Sequence, residues 1–150
     1  MIYLADLEFG NIGSVVRFLD SLHIKFVRAS VVDILNVSQG VVLLPGNGHW
    51  SSYLKDQRLN QYLKTLPDEV ALMGICGGYQ VMFESSEEGS ENGLGICEGK
   101  VERLKSDIFP HVGPKNVSDG NKYYFLNCYG APLIDLPGEV NTYKILDNDY

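Results

Sequence analysis

Apolar runs alternate with polar, glycine-bearing breaks through the first half of the chain. Ile2–Leu7 is an apolar run with strand character, followed by the turn signal Gly10-Asn11-Ile12-Gly13-Ser14. Val15, Val16, Phe18, Leu19 and Leu22 then recur at helical spacing, which predicts an amphipathic helix. Lys25–Val27 reads as a short second strand and Val41–Leu44 as a third, apolar on both faces. Leu54, Leu59, Tyr62, Leu63 and Leu66 predict a helix over roughly 53–66, and Val70–Ile75 a fourth strand. Strands apolar on both faces, alternating with helices, imply a mainly parallel sheet covered by helices. Ligands bind such sheets beyond the carboxyl ends of the strands, where Glu8–Gly13, Pro45–His49 and Gly74–Gly78 meet.

The character changes after Phe83. Residues 84–99 form a polar, glycine-rich connection, and strand-like segments follow near Lys100–Leu104, Lys122–Tyr129 and Val140–Leu146. This half is expected to be rich in β-structure and antiparallel in part. No repeat, low-complexity stretch or linker interrupts the 150 residues, a length suited to one domain that buries about 68–70% of its unfolded surface.

The formal net charge of −7 and pI near 4.8 argue against a nucleic-acid or anionic-membrane partner. Met1-Ile2-Tyr3-Leu4-Ala5-Asp6 has no basic n-region and reads as a strand instead of a signal peptide. No apolar run approaches the ~20 residues of a membrane helix. Cys76, Cys97 and Cys128 make an odd count without C-x-x-C spacing. A reducing cytoplasm is therefore expected, with neither a zinc site nor a disulfide framework.

Chemistry concentrates at Gly74-Ile75-Cys76-Gly77-Gly78, directly after the apolar run Val70–Met73. This is a strand-to-helix nucleophile elbow with cysteine as the nucleophile, the helix expected from about Tyr79. The turn would direct Sγ out of the sheet toward the first amides of that helix, which favour a thiolate and can hold an oxyanion. The plainer alternative is a buried, inert cysteine at a strand end. Pro45-Gly46-Asn47-Gly48 follows a buried strand and is either a second source of oxyanion amides or an ordinary strand-to-helix turn. Gln80 lies one helical turn beyond Cys76, whereas the run Glu84-Ser85-Ser86-Glu87-Glu88-Gly89, taken alone, reads as solvated surface.

Taken in order, several segments form a pattern. They are Gly10-Asn11-Ile12-x-Ser14-Val15, Pro45-Gly46-x-Gly48, Gly74-Ile75-Cys76-x-Gly78-x-Gln80-x-x-Phe83-Glu84-Ser85-Ser86-Glu87-Glu88-Gly89, Gly93-Leu94-Gly95-x-x-x-Gly99-x-Val101, Pro110-His111-x-Gly113 and Tyr124-Phe125. From Ile2 to about Tyr129 the chain resembles the class I (triad) glutamine amidotransferases, most closely the glutaminase subunits of imidazole glycerol phosphate synthase. The resemblance implies a flavodoxin-like, three-layer α/β/α fold. It implies that Cys76 attacks the glutamine side-chain amide and forms a thioester. Gly46, Asn47 and Gly77 would supply oxyanion amides, and Gln80 and Glu88 would hold the glutamine. Ammonia would pass to a (β/α)8-barrel synthase partner, and the resemblance implies no cofactor or metal.

The family places its general base in a C-terminal His-Pro-Glu segment, and no His-x-Glu occurs in this chain. By that measure the chain corresponds to an incomplete, C-terminally truncated amidotransferase domain, and little glutaminase turnover is expected of it alone. His23, His49 and His111 are poor substitutes: the first lies past a helix, the second beside the oxyanion loop, and the third in the family's Pro-His-x-Gly. Asn127-Cys128 and Gly113-Pro114-Lys115-Asn116 depart from the family's His-Ser and Gly-Trp-Asn. Such changes suggest a divergent paralogue, such as those serving surface-polysaccharide amination, or relaxed constraint after loss of the C-terminus. A separate reading is a non-catalytic subunit that binds glutamine or a synthase. A protease- or deglycase-type elbow enzyme would need an acidic residue near the cysteine early in the chain. A nucleotide site at Gly10 lacks the G-x-G-x-x-G spacing.

Overall fold

The computed structural model describes residues 1–105, 110–116, 120–131, 144–145 and 148–149. Strands β1 (Ile2–Ala5), β2 (Phe26–Ala29), β3 (Gly40–Leu44) and β4 (Val70–Gly74) form a sheet in the order β2-β1-β3-β4, every pairing parallel. The chain moves outward from β1 to β2, then crosses back past β1 to β3. That reversal opens a crevice between the carboxyl ends of β1 and β3, the usual ligand position in such sheets.

Residues on the central strands alternate between two cores. Leu4 and Leu43 pack with Ile12, Val15 and Leu19 of α1 (Ile12–Ser21) on one face. Ala5, Val42 and Leu44 pack on the other with Ile34 of α2 (Val31–Ile34), Trp50 and Tyr53 of α3 (Trp50–Tyr53) and Leu59 and Leu63 of α4 (Gln57–Lys64). The result is three layers with helices on both faces, as expected. Within the predicted α1 stripe, Val15 and Leu19 are buried while Phe18 and Leu22 point outward. The buried set follows the i, i+3, i+7 spacing from Ile12, which leaves Phe18 and Leu22 on the opposite flank.

The helix anticipated over 53–66 is shorter: α3 ends at Tyr53, and α4 begins only at Gln57. Asp56 caps α4, its carboxylate accepting from the Arg58 and Leu59 amides, and Asn60 Nδ2 donates to the Leu54 carbonyl left open after α3 at 2.9 Å. Helix α2 was not foreseen, although Ser30-Val31-Val32-Asp33 spells its capping box, with both reciprocal bonds in place.

The segment after Phe83, expected to be a connection, contains β5 (Phe83–Ser86), parallel to β6 (Cys97–Arg103). A register shift between Phe83 and Ser85 leaves the Gly99 amide to donate to Glu84 Oε2 at 2.9 Å. Strand β6 pairs antiparallel with β9 (Tyr129–Gly130), and β7 (His111–Asn116) with β8 (Lys122–Asn127). Of the expected Val140–Leu146 strand only β10 (Lys144–Ile145) is described; it pairs antiparallel with β11 (Asn148–Asp149), beyond that segment, and the rest of the segment lies outside the described residues. Phe83 is fully buried and meets Tyr79 edge to face at 5.3 Å, which joins the parallel sheet's core to β5 and β6. Phe83→Ala is expected to cost about 3–5 kcal/mol, measured as the loss in unfolding free energy under urea.

Candidate active site

Cys76 leaves β4 through Ile75, whose amide still donates to the Leu44 carbonyl at 3.1 Å, and then turns sharply at φ 52° and ψ −116°. A left-handed φ is strained for a residue with a Cβ. Glycine on either side makes the bend possible. A Cβ on Gly74 would lie 2.4 Å from the Gly78 carbonyl carbon and oxygen, and one on Gly78 would lie 2.7 Å from the Leu44 oxygen. The bend feeds α5 (Gly77–Gln80), which starts two residues before the expected Tyr79 because Gly78, Tyr79 and Gln80 already bond back to Ile75 and Cys76. The thiol is exposed, unlike an inert core cysteine.

The loop after β3 lies against this bend. A Cβ on Gly46 would stand 3.2 Å from Cys76 Cβ and 3.2 Å from the Ile75 oxygen. Asn47 also has a positive φ, 64°, and Gly46 is fixed from behind by the Asn11 amide, which donates to its carbonyl at 2.9 Å. The three glycine-rich loops therefore do converge: Gly10 packs on the Pro45 ring, and Gly46 packs on Cys76. Among the described residues, the amides of Gly46, Asn47 and Gly77 donate to no protein acceptor. Three open donors near one thiol are suited to an anion that forms at the sulfur's target.

Gln80 and Glu88 are both engaged with other segments of the chain. Gln80 Nε2 donates to the Tyr129 carbonyl at 2.9 Å, linking α5 to β9. Glu88 Oε2 accepts from the Trp50 amide at 3.1 Å, and the Glu88 amide donates to the buried Ser86 hydroxyl. The carboxylate run is not merely solvated surface. Glu84 takes the Gly99 amide, Glu88 takes Trp50, and Glu87 accepts from the Arg103 amide and from Lys100. The Arg103 amide, with Lys100 beside it, holds the Glu87 carboxyl below its usual range. Glu91 anchors the same loop, its carbonyl taking Trp50 Nε1 and its carboxylate the Ser51 hydroxyl.

Tyr53 is the residue that sequence reasoning passed over. It is 5% exposed, and its hydroxyl donates to the Pro45 carbonyl at 2.7 Å. Burial pushes its phenol far above the usual range, and the neighbouring Cys76 and Glu88 add to the shift, so it remains a neutral donor. Its position eight residues after Pro45 fitted a helix-face residue, and no motif marked it.

Among the described side chains, neither His23 nor His49 supplies a base beside the thiol. His49 caps α3, with Nδ1 accepting from the Ser51 amide at 3.3 Å. His23 is exposed in the turn after α1, next to Met1 and Lys25 at the amino ends of the strands, opposite the thiol. His111 is in β7, paired in register with Asn127. No cluster of metal-ligating side chains occurs among the described residues, and no described helix is long and apolar enough to cross a membrane.

Comparison with known proteins gives this geometry its context. The imidazole glycerol phosphate synthase subunit HisH of Exiguobacterium sibiricum is 36% identical over 137 residues, covering 87% of this chain and 70% of that protein. The chain belongs to the HisH family of glutamine amidotransferase subunits. HisH of Staphylococcus aureus is 32% identical over 142 residues, covering 89% of this chain and 73% of its own length. A crystal structure of a glutamine amidotransferase superposes with a TM-score of 0.60 at 17% identity, over 83% of this chain and 70% of that one. This agrees with the flavodoxin-like fold anticipated from sequence. A comparison with protein-family models finds no match.

The strain at the elbow is measurable without any assay of activity. Left-handed backbone costs of order 1–3 kcal/mol for a residue with a Cβ, whereas glycine adopts it freely but orders at an entropic cost of about 0.5–1 kcal/mol. Cys76→Gly is therefore expected to be about 1 kcal/mol more stable than Cys76→Ala, compared by chemical denaturation.

Proposed function

We propose that this chain carries the glutaminase half of a glutamine amidotransferase within one domain, and that it serves a synthase that consumes ammonia. The observation that carries this is Cys76 on its strained bend, with the open amides of Gly46, Asn47 and Gly77 around it. In this reading the Cys76 sulfur attacks the side-chain carbonyl carbon of glutamine, and the carbonyl electrons move onto oxygen. Those amides hold the resulting oxyanion. Collapse re-forms the carbonyl and breaks the carbon–nitrogen bond, with ammonia leaving after taking up a proton. A water then cleaves the thioester, giving glutamate and restoring the thiol.

Glu88, whose carboxylate sits on the Trp50 amide and acts electrostatically on Tyr53, is suited to the substrate's ammonium. Gln80 is suited to its polar end, next to the Tyr129 carbonyl. Ammonia would go to a synthase subunit, which the imidazole glycerol phosphate synthase naming of the relatives supports; a (β/α)8 barrel is the form proposed for that partner. The three free thiols support a reducing, cytoplasmic setting. Neither described histidine side chain, His23 or His49, is placed to protonate the departing amine, and general acid–base help is typically worth about 10²–10⁴ in rate. The 150-residue chain is therefore assigned glutamine recognition and thiol chemistry, with little turnover by itself.

The test uses the full chain, with ammonia release from glutamine measured alongside labelling of Cys76 by a chloroketone analogue of glutamine. Labelling that glutamine competes away and Cys76→Ala abolishes, with ammonia release at or near background, is the expected result. Rapid Cys76-dependent turnover would overturn the assignment of low activity, and labelling indifferent to glutamine would overturn the glutaminase reading itself. Glu88→Gln removes a charge-assisted partner worth about 1.5–3 kcal/mol, so glutamine should compete at least tenfold more weakly in that variant.

A further inference from the structure

Tyr53 contacts both loops that bear the open amides. Its hydroxyl donates to the Pro45 carbonyl, one residue before Gly46. A Cβ on Gly77 would lie 3.0 Å from Tyr53 Cε2, 3.1 Å from its hydroxyl oxygen and 3.2 Å from the Gly48 oxygen, so the ring fills the space between Gly48 and Gly77. Phe9, from the loop after β1, meets the ring edge to face at 4.8 Å and would touch any Cβ on Gly48. The helix that carries Tyr53 is itself tied to the Glu88 loop, through the Trp50 amide and the Trp50 indole. A loop containing a positive-φ asparagine and two glycines has little stiffness of its own, and a misplacement of about 1 Å in a catalytic group can cost about 10²-fold in rate.

We propose that Tyr53 is a positioning residue for the glutaminase chemistry: its hydroxyl tether to Pro45 and its ring against Gly48 and Gly77 hold the Gly46–Asn47 and Gly77 amides in one relation around Cys76. The inference rests on the glutaminase reading and adds a residue to it. Tyr53→Phe keeps the ring and removes only the tether, so folding is preserved while the loop gains freedom. An indirect loss of this kind should fall well short of the 10²–10³ that follows removal of an oxyanion donor.

The experiment uses two electrophiles on the full-length chain. The chloroketone analogue of glutamine needs its carbonyl oxygen stabilised as it reacts, whereas iodoacetamide needs only an accessible thiol. For Tyr53→Phe the expected result is a roughly tenfold lower maximal rate of chloroketone inactivation. Half-saturation should stay within about twofold, with an unchanged iodoacetamide rate. An unchanged maximal rate would overturn the proposal, as would a weaker half-saturation with the rate intact. An equal fall with both reagents would also overturn it, because the tyrosine would then govern only thiol exposure. If wild-type labelling is not competed by glutamine, the glutaminase reading falls first. If it is competed and Tyr53→Phe behaves as wild type, only the tyrosine's role falls.

Discussion

The backbone at Gly74 meets the backbone at Gly78 so closely that no side chain fits between them, and Gly78 in turn rests on the carbonyls of Leu44 and Pro45. That contact sets the radius of the bend at Cys76 and forces its left-handed backbone. It brings the end of β4 and the start of α5 against the end of β3. The loop beyond Pro45 is thereby placed within reach of the sulfur. Parallel pairing of β3 and β4 holds this arrangement, since Leu44 stands in register with Gly74 and the two strands end together.

Around this fixed point the molecule arranges two kinds of support. The parallel sheet supplies rigidity through strands buried on both faces, with Leu4, Ala5, Val42, Leu43 and Leu44 nearly free of solvent contact. Side chains after Phe83 hold backbone groups that regular pairing leaves open: Glu84 and Glu87 accept the Gly99 and Arg103 amides of β6, and Glu88 the Trp50 amide at the start of α3. A buried or half-buried amide left unpaired costs about 1–3 kcal/mol, so these carboxylates stabilise irregular backbone that regular pairing does not reach. Tyr53 and Phe9 complete the packing beneath the loops.

Much of this was legible because a strand buried on both faces announces itself by length and composition. Val41–Leu44 is such a run, with Val42, Leu43 and Leu44 buried. Val70–Ile75 is as apolar in sequence, but Ala71, Met73 and Ile75 are exposed, and the Gly-rich segments after both fall where the sheet needs turns. The elbow was readable for a steric reason, since only glycines fit beside such a bend. Other features were hidden by competing local signals. Leucines spaced on either side of Asp56 look like one helix until the aspartate is seen to accept from the Arg58 and Leu59 amides. Strand β5 is written mostly in polar letters, and only the burial of Phe83 and Ser86 reveals it. The partners of Gln80 and Glu88 come from 49 and 38 residues away, a separation that no local pattern encodes.

That separation divides the site by order of assembly. The bend at Cys76, the Pro45 loop and Tyr53 draw on residues up to 78, all from contiguous parallel units, whereas the Gln80 amide waits for Tyr129. Closing so large a loop is the slower, entropically costlier event. A nascent or partly opened molecule thus presents the exposed Cys76 on its finished bend before the Gln80 side chain has its Tyr129 anchor.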